Sequence, residues 1–118
     1  MTTSGAQADA FFREVIDEGA VWAIRDEQGF PAPVGTDGRR AMPFWSLRSR
    51  AEAVIASADA YRTFVPDRIA LMAWRREWLP GLSRDGLDVG LNWSGDRVTG
   101  YDVPADSVEA RLASVDPP

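Results

Sequence analysis

Apolar and polar positions follow two periods along the chain, and the changes between them mark its elements. Ala8, Phe11, Phe12, Val15 and Ile16 recur at helical spacing while Arg13, Glu14, Asp17 and Glu18 take the other side, which predicts an amphipathic helix closed by Gly19. AVWAIR (20–25) reads as a strand, DEQG (26–29) as a turn, and Phe30 to Val34 as the partner strand of a hairpin. Pro31 and Pro33 lack ladder donors, so that second strand is expected at an edge or irregular. GTDGRR (35–40) is loop by composition, and Ala41 to Trp45 gives a third short strand.

Ser46 stands where a helix N-cap belongs, ahead of a stripe of Leu47, Ala51, Val54, Ile55 and Ala58. After a connection at 59–66, Asp67 to Ala70 reads as a short strand, and Leu71, Trp74, Trp78 and Leu82 share one side of a third helix. Pro80 should stop that helix near Leu79. SRDG (83–86) turns the chain into an alternating strand, Leu87, Val89, Leu91 and Trp93, which pairs with Val98 to Val103 across a turn at Ser94, Gly95 and Asp96. Pro104 and Asp106 open a last helix whose Val108, Leu112 and Val115 should face inward. The expected fold is α+β: one mainly antiparallel sheet of five to six short strands, with about four helices packed on one face. Residues 6–115 form a single domain between a flexible tail at 1–5 and a short tail at 116–118.

Composition chiefly removes chemistry. There is no cysteine and no histidine, and all 13 basic residues are arginine. Thiol nucleophiles, the usual neutral-pH base and Schiff-base lysines are therefore missing, and no cofactor or metal is expected. A net charge of −5 argues against a nucleic-acid backbone as partner. No apolar run reaches the ~18 residues of a membrane span, and no basic residue precedes an apolar stretch at the amino terminus, so a cytoplasmic protein is expected.

The 5 tryptophans are the conspicuous surplus. Trp22, Trp78 and Trp93 fall in phase with apolar faces and read as core; Trp45, ending a strand beside a cap, reads as core with part of its ring open. Trp74, flanked by Arg75 and Arg76, is expected to be partly exposed, a good anchor for a partner. Asp85 and Asp96 adjoin glycines and suit turns, while Asp88 and Asn92 share what reads as the solvated face of a strand. RDGLDVGLNWSG lacks the alternating acids of a calcium loop, and Gly81, Gly86 and Gly90 lack the strand–glycine–helix order that holds a dinucleotide. Arg39, Arg40, Arg48 and Arg50 form a basic cluster that is either a solvated face or an anion site.

Val21-Trp22, Pro43 to Ser46, Pro66 and Ile69, Trp78-Leu79-Pro80, Asp85-Gly86 and Val89-Gly90-Leu91-Asn92-Trp93 together resemble the bacterial family catalogued as domain of unknown function 2750. The resemblance spans roughly residues 8 to 115, and WLPGLSRDGLDVGLNW (78–93) is its most specific stretch. One departure is Ala60 after Asp59, where an aromatic often stands ahead of a residue like Tyr61. The resemblance implies no activity and carries over no catalytic residue. With catalytic chemistry missing and aromatics in surplus, the expected function is a non-catalytic protein-interaction module of adaptor, regulatory or immunity type. Its partner is another protein, with a homo-oligomer as a further possibility, and its contacts are Trp74, Arg75, Asp85, Asp88 and Asn92. The alternative is a small-ligand binder or enzyme in which Asp85 or Asp88 converges with an arginine and an aromatic near the second hairpin.

Overall fold

The computed structural model of the protein describes residues 3–35, 37–94 and 99–115. Among the described residues, four helices and five strands in two sheets make an α+β fold. Helix α1 (Thr3–Glu18) begins within the segment expected as a tail, and Gly19 closes it at φ 66, its N–H reaching Val15 at 2.9 Å. Strand β1 (Ala20–Arg25) pairs antiparallel with β3 (Val65–Ala70), so that Ala20 faces Ala70 and Arg25 faces Val65. Strand β2 (Ala41–Phe44) runs parallel to β4 (Asp88–Ser94), which pairs antiparallel with β5 (Thr99–Pro104). The expected hairpin turn at 95–96 lies outside the described residues.

The expected single sheet is therefore two, of two and three strands. A lone bridge joins them: Trp22 and Trp45 exchange both backbone hydrogen bonds at 2.7 Å. That bridge also explains why Phe30 to Val34 is not the partner of β1. The turn at Asp26 to Gly29 does form, but Pro31 and Pro33 have no N–H to give. The chain closes locally instead, with Val34 bridged to Arg40, and Trp45 takes the place beside Trp22.

Helices cover both faces, not one. Val21, Ala23, Phe44, Val89 and Leu91 pack with Phe11, Val15, Trp74, Leu79, Val108 and Leu112 in the larger core. The alternate positions Ile24, Ala41 and Trp45 turn the other way and pack under helix α2 (Arg48–Ser57) with Ala51, Val54 and Trp93. A 3-10 turn, Asp59–Tyr61, places Tyr61 against that second core.

Helix α3 covers residues 71–84 and runs through Pro80, contrary to the expected stop. Residues Trp74–Trp78 widen into a π turn, in which the Leu79 N–H reaches back five residues to Trp74 O, and Pro80 falls at the start of the next regular stretch, Leu79–Arg84. There its missing N–H costs little. The helix ends in a Schellman cap: Gly86, at φ 71, donates to Ser83 O at 3.1 Å and Leu87 to Leu82 O at 2.9 Å. Helix α4 (Ala105–Val115) buries Val108 and Leu112, while Val115 is 63 % exposed rather than inward.

Candidate functional site

Two of the polar residues that the fold buries, Ser46 and Asn92, meet where four segments converge. Asn92 on β4 has φ 52 and is 2 % exposed. A non-glycine residue in that left-handed region costs on the order of 1–3 kcal/mol and persists only where neighbours enforce it. Here the neighbour is Ser46, whose backbone N–H donates to Asn92 Oδ1 and whose Oγ accepts from Asn92 Nδ2, both at 3.0 Å. Ser46 Oγ donates in turn to Glu14 Oε1 at 2.5 Å, and Arg50 grips the Glu14 carboxylate with two bonds at 3.0 and 2.9 Å. The chain of bonds ties α1, the junction ahead of α2, α2 itself and β4. It also explains why Ser46 makes no helix cap: its side chain is used here, and Leu47 occupies the N-cap without a side-chain bond. A serine bonded to a carboxylate has the parts of an activated nucleophile, but Ser46 is 0 % exposed and presents no open face to a substrate.

The backbone turn at Asn92 has a second effect. The β4–β5 register shifts between Leu91 and Ser94, so Trp93, which regular alternation would put with Leu91 in the larger core, swings to the α2 side. Its indole lies across two glycines on adjacent strands. A Cβ on Gly90 would come within 2.4 Å of Trp93 Nε1, and one on Gly100 within 2.7 Å of Cδ1. Trp93 Nε1 donates to Asp102 at 2.7 Å, and the Trp93 carbonyl accepts from Trp45 Nε1 at 2.8 Å. Gly90→Ala is expected to cost about 1–3 kcal/mol by overpacking against a rigid ring, with an altered near-ultraviolet tryptophan signal. Denaturant unfolding followed by near-ultraviolet circular dichroism checks both.

A groove of about 510 Å3 opens between α3 and α4. Arg75, Leu79, Pro80, Ser83 and Arg84 line it from α3, with Ala105, Asp106 and Glu109 opposite. Arg75, whose side chain is only 3 % exposed, joins the walls through two bonds to Glu109 at 2.9 and 2.8 Å. The floor is apolar and the rim is charged.

With that geometry in hand, the sequence match gains a structural meaning. Residues 8–112 match the family described as "Protein of unknown function (DUF2750)". The chain belongs to this family. No curated protein matches the sequence. The stretches that carried the resemblance now have physical roles in this DUF2750 chain: Pro43 to Ser46 and Asn92-Trp93 build the buried polar chain and the tryptophan clasp, and Leu79-Pro80 lies in the groove wall.

The sequence-chosen contacts land in different places. Trp74, expected to be partly exposed, is 0 % exposed, because the π turn rotates it onto Phe11 and Phe44. Trp45 is also fully buried, whereas Trp22 and Trp78 are only half-buried. Arg75 lies in the groove wall, and Asp85 is exposed in the cap after α3. Asp88 and Asn92 are both buried rather than solvated. Asp88 does converge with an arginine, since Arg39 holds both its oxygens at 2.9 and 2.8 Å. Arg39, Arg40, Arg48 and Arg50 do not form one cluster: they bond respectively to Asp88, Ala32 O, Glu52 and Glu14. Sequence reasoning missed Glu14, Ser46 as a clasp, and the α4 side of the groove. Glu14 alone left a signal, lying three residues beyond Phe11 at the edge of the apolar stripe.

These pairs fix the acid response. Hydrogen bonds from Arg50, Arg39 and Arg75 hold Glu14, Asp88 and Glu109 below the usual carboxylate range, against an opposing desolvation effect. A depressed folded pKa gives stability that is present above the unfolded value of about 4 and is lost as pH falls through the folded value. Asp102 runs the other way: desolvation raises it against the opposing Trp93 hydrogen bond, with Asp88 and Asp37 adding, so its contribution is lost as pH rises through its folded value. The urea midpoint is expected to fall on acidification below about pH 4. It should fall less steeply in Glu14→Gln, and Asp102→Asn should not lower the midpoint at neutral pH. Urea titrations across that pH range check all three.

Proposed function

We propose that the protein is a non-catalytic protein-interaction module of adaptor, regulatory or immunity type, which receives its partner in the groove between α3 and α4. The observation that carries this reading is the groove itself: an apolar floor of about 510 Å3 with charged ends. Its two helices are pinned from behind by Trp74, Leu82, Val108 and Leu112, all buried, so the surface is preformed and little ordering is needed on binding. Of the contacts expected from sequence, Arg75 belongs to this surface and Asp85 lies just past its end. The competing small-molecule reading at Asp88 has an arginine in place, but Arg39 already occupies both carboxylate oxygens.

Capture of the tagged protein from its host's extract tests the proposal, with Ser83→Trp beside the wild type. Ser83 is exposed in the groove, so the indole fills it without disturbing the core. The wild type should retain a stoichiometric companion and Ser83→Trp should lose it at an unchanged unfolding midpoint. A companion held equally by both would contradict the groove as the site.

A further inference from the structure

We infer that the outer edge of β3 is a second docking site, which takes an extended segment of a partner protein with an acid opposite Arg68 and a base opposite Val65. The edge shares no residue with the groove, so it does not depend on the groove being used. The alternation of backbone directions defines what it offers. Leu71 N–H bonds to Gly19 O at 3.0 Å, while Trp22 turns its N–H and C=O away from β3 to Trp45. In the antiparallel register, with Ala20 opposite Ala70 and Trp22 opposite Arg68, Val65, Asp67 and Ile69 are then the positions bonded to β1. Pro66, Arg68 and Ala70 aim their backbone groups outward. Pro66 has no N–H, and it falls where the β1–β3 ladder needs none. Among the described residues, nothing pairs with the N–H groups of Arg68 and Ala70 or the C=O groups of Pro66 and Arg68.

That row of donors and acceptors fits an added strand, and the side chains beside it select which strand. Arg68 is exposed and makes no ion pair among the described residues. At the start of the strand, Val65 is 53 % exposed and lines a hollow of about 420 Å3 with Thr63, Arg25, Asp26 and Glu27. Arg25 is paired with Asp67 at 3.3 Å, so the charge left around the hollow is negative. Opposite charges facing across a strand pair are favourable and like charges are not. A second copy is disfavoured by that rule, because antiparallel pairing centred on Arg68 sets this residue against itself. The fitting occupant runs antiparallel to β3, with an acid beside Arg68 and a base three positions later beside Val65. Ala70 leaves room for an apolar residue two positions before the acid.

Titration of the full chain with the peptide TVTETTK, capped at both ends, tests the inference, with TVTKTTE as a control of the same composition and net charge. Amide NMR shifts at up to millimolar peptide give both affinity and location. TVTETTK should shift the Arg68 and Ala70 amides saturably. It should bind about tenfold more tightly than TVTKTTE, since each exposed charge pair is worth up to roughly fivefold. Arg68→Glu should remove that preference. Ala70→Pro should weaken TVTETTK by up to about tenfold through loss of one hydrogen bond. Ala70 has φ −59, which proline adopts, and its N–H is unused within the chain, so this variant keeps its fold. Ser83→Trp should bind the peptide as the wild type does, which separates the edge from the groove. Absence of saturable binding, equal binding of the two peptides, or shifts confined to 79–84 and 105–109 overturns the inference. So does a wild type that sediments as a dimer and is dissociated by Ala70→Pro, because the edge then belongs to a second copy while the groove reading is untouched.

Discussion

Replacing Trp74 by alanine is expected to lower the unfolding free energy by about 3–5 kcal/mol, the range for deleting a large buried aromatic. Trp74 is 0 % exposed and packs against Phe44 and Phe11 with ring centroids 5.2 and 5.9 Å apart. Domains of this size hold only about 5–15 kcal/mol in total, so a substantial part of the native population is at stake. Trp74→Phe should cost much less than the alanine change. The Trp74 Nε1 hydrogen has no acceptor among the described residues, and phenylalanine removes that donor while keeping most of the ring. Urea unfolding of the two variants measures the difference. A loss under about 1 kcal/mol for Trp74→Ala would mean that the ring is not in the core.

The second large effect is expected at Asn92. Alanine there leaves the Ser46 N–H without its acceptor and removes the donor to Ser46 Oγ, at about 1–3 kcal/mol. It also places an ordinary side chain at φ 52, adding about 1–2 kcal/mol. Asn92→Gly loses the same hydrogen bonds without the backbone penalty, so it should be more stable than Asn92→Ala by about 1–2 kcal/mol. Equal stability of the two variants would show that the turn does not hold its left-handed geometry, and with it the rotation that carries Trp93 to the α2 face.

What was legible in the sequence was whatever depends on neighbours in the chain. The stripes through Phe11 and Val15 and through Ala51 and Val54 follow helical spacing and are buried as expected, while Trp74, on the third stripe with Leu71, is buried where partial exposure was expected. Gly19 announced its cap, and Gly86 a turn, because only glycine takes those φ values freely. What was not legible depends on partners far along the chain. Strand β1 had a plausible local partner at Phe30 to Val34, yet β3 and Trp45 take its edges. Ser46 matched a cap by position, but Glu14 and Asn92 lie 32 and 46 residues away, and nothing local reports them. The same holds for Gly90 and Gly100, which leave room for one tryptophan ring. Pro80 misled because a proline normally ends a helix, and a π turn ahead of it removes the conflict. The groove was half visible through Arg75, whose companion Glu109 comes from a helix that the spacing placed but could not dock.

The most direct test of the docking reading is hydrogen exchange on the protein with its captured companion bound, compared with the protein alone. The account predicts slowed exchange concentrated at residues 79–84 and 105–109, with β3 and the Asp88–Asp102 face unchanged. Protection along β3 or across that face, with both helix segments unaltered, would contradict it.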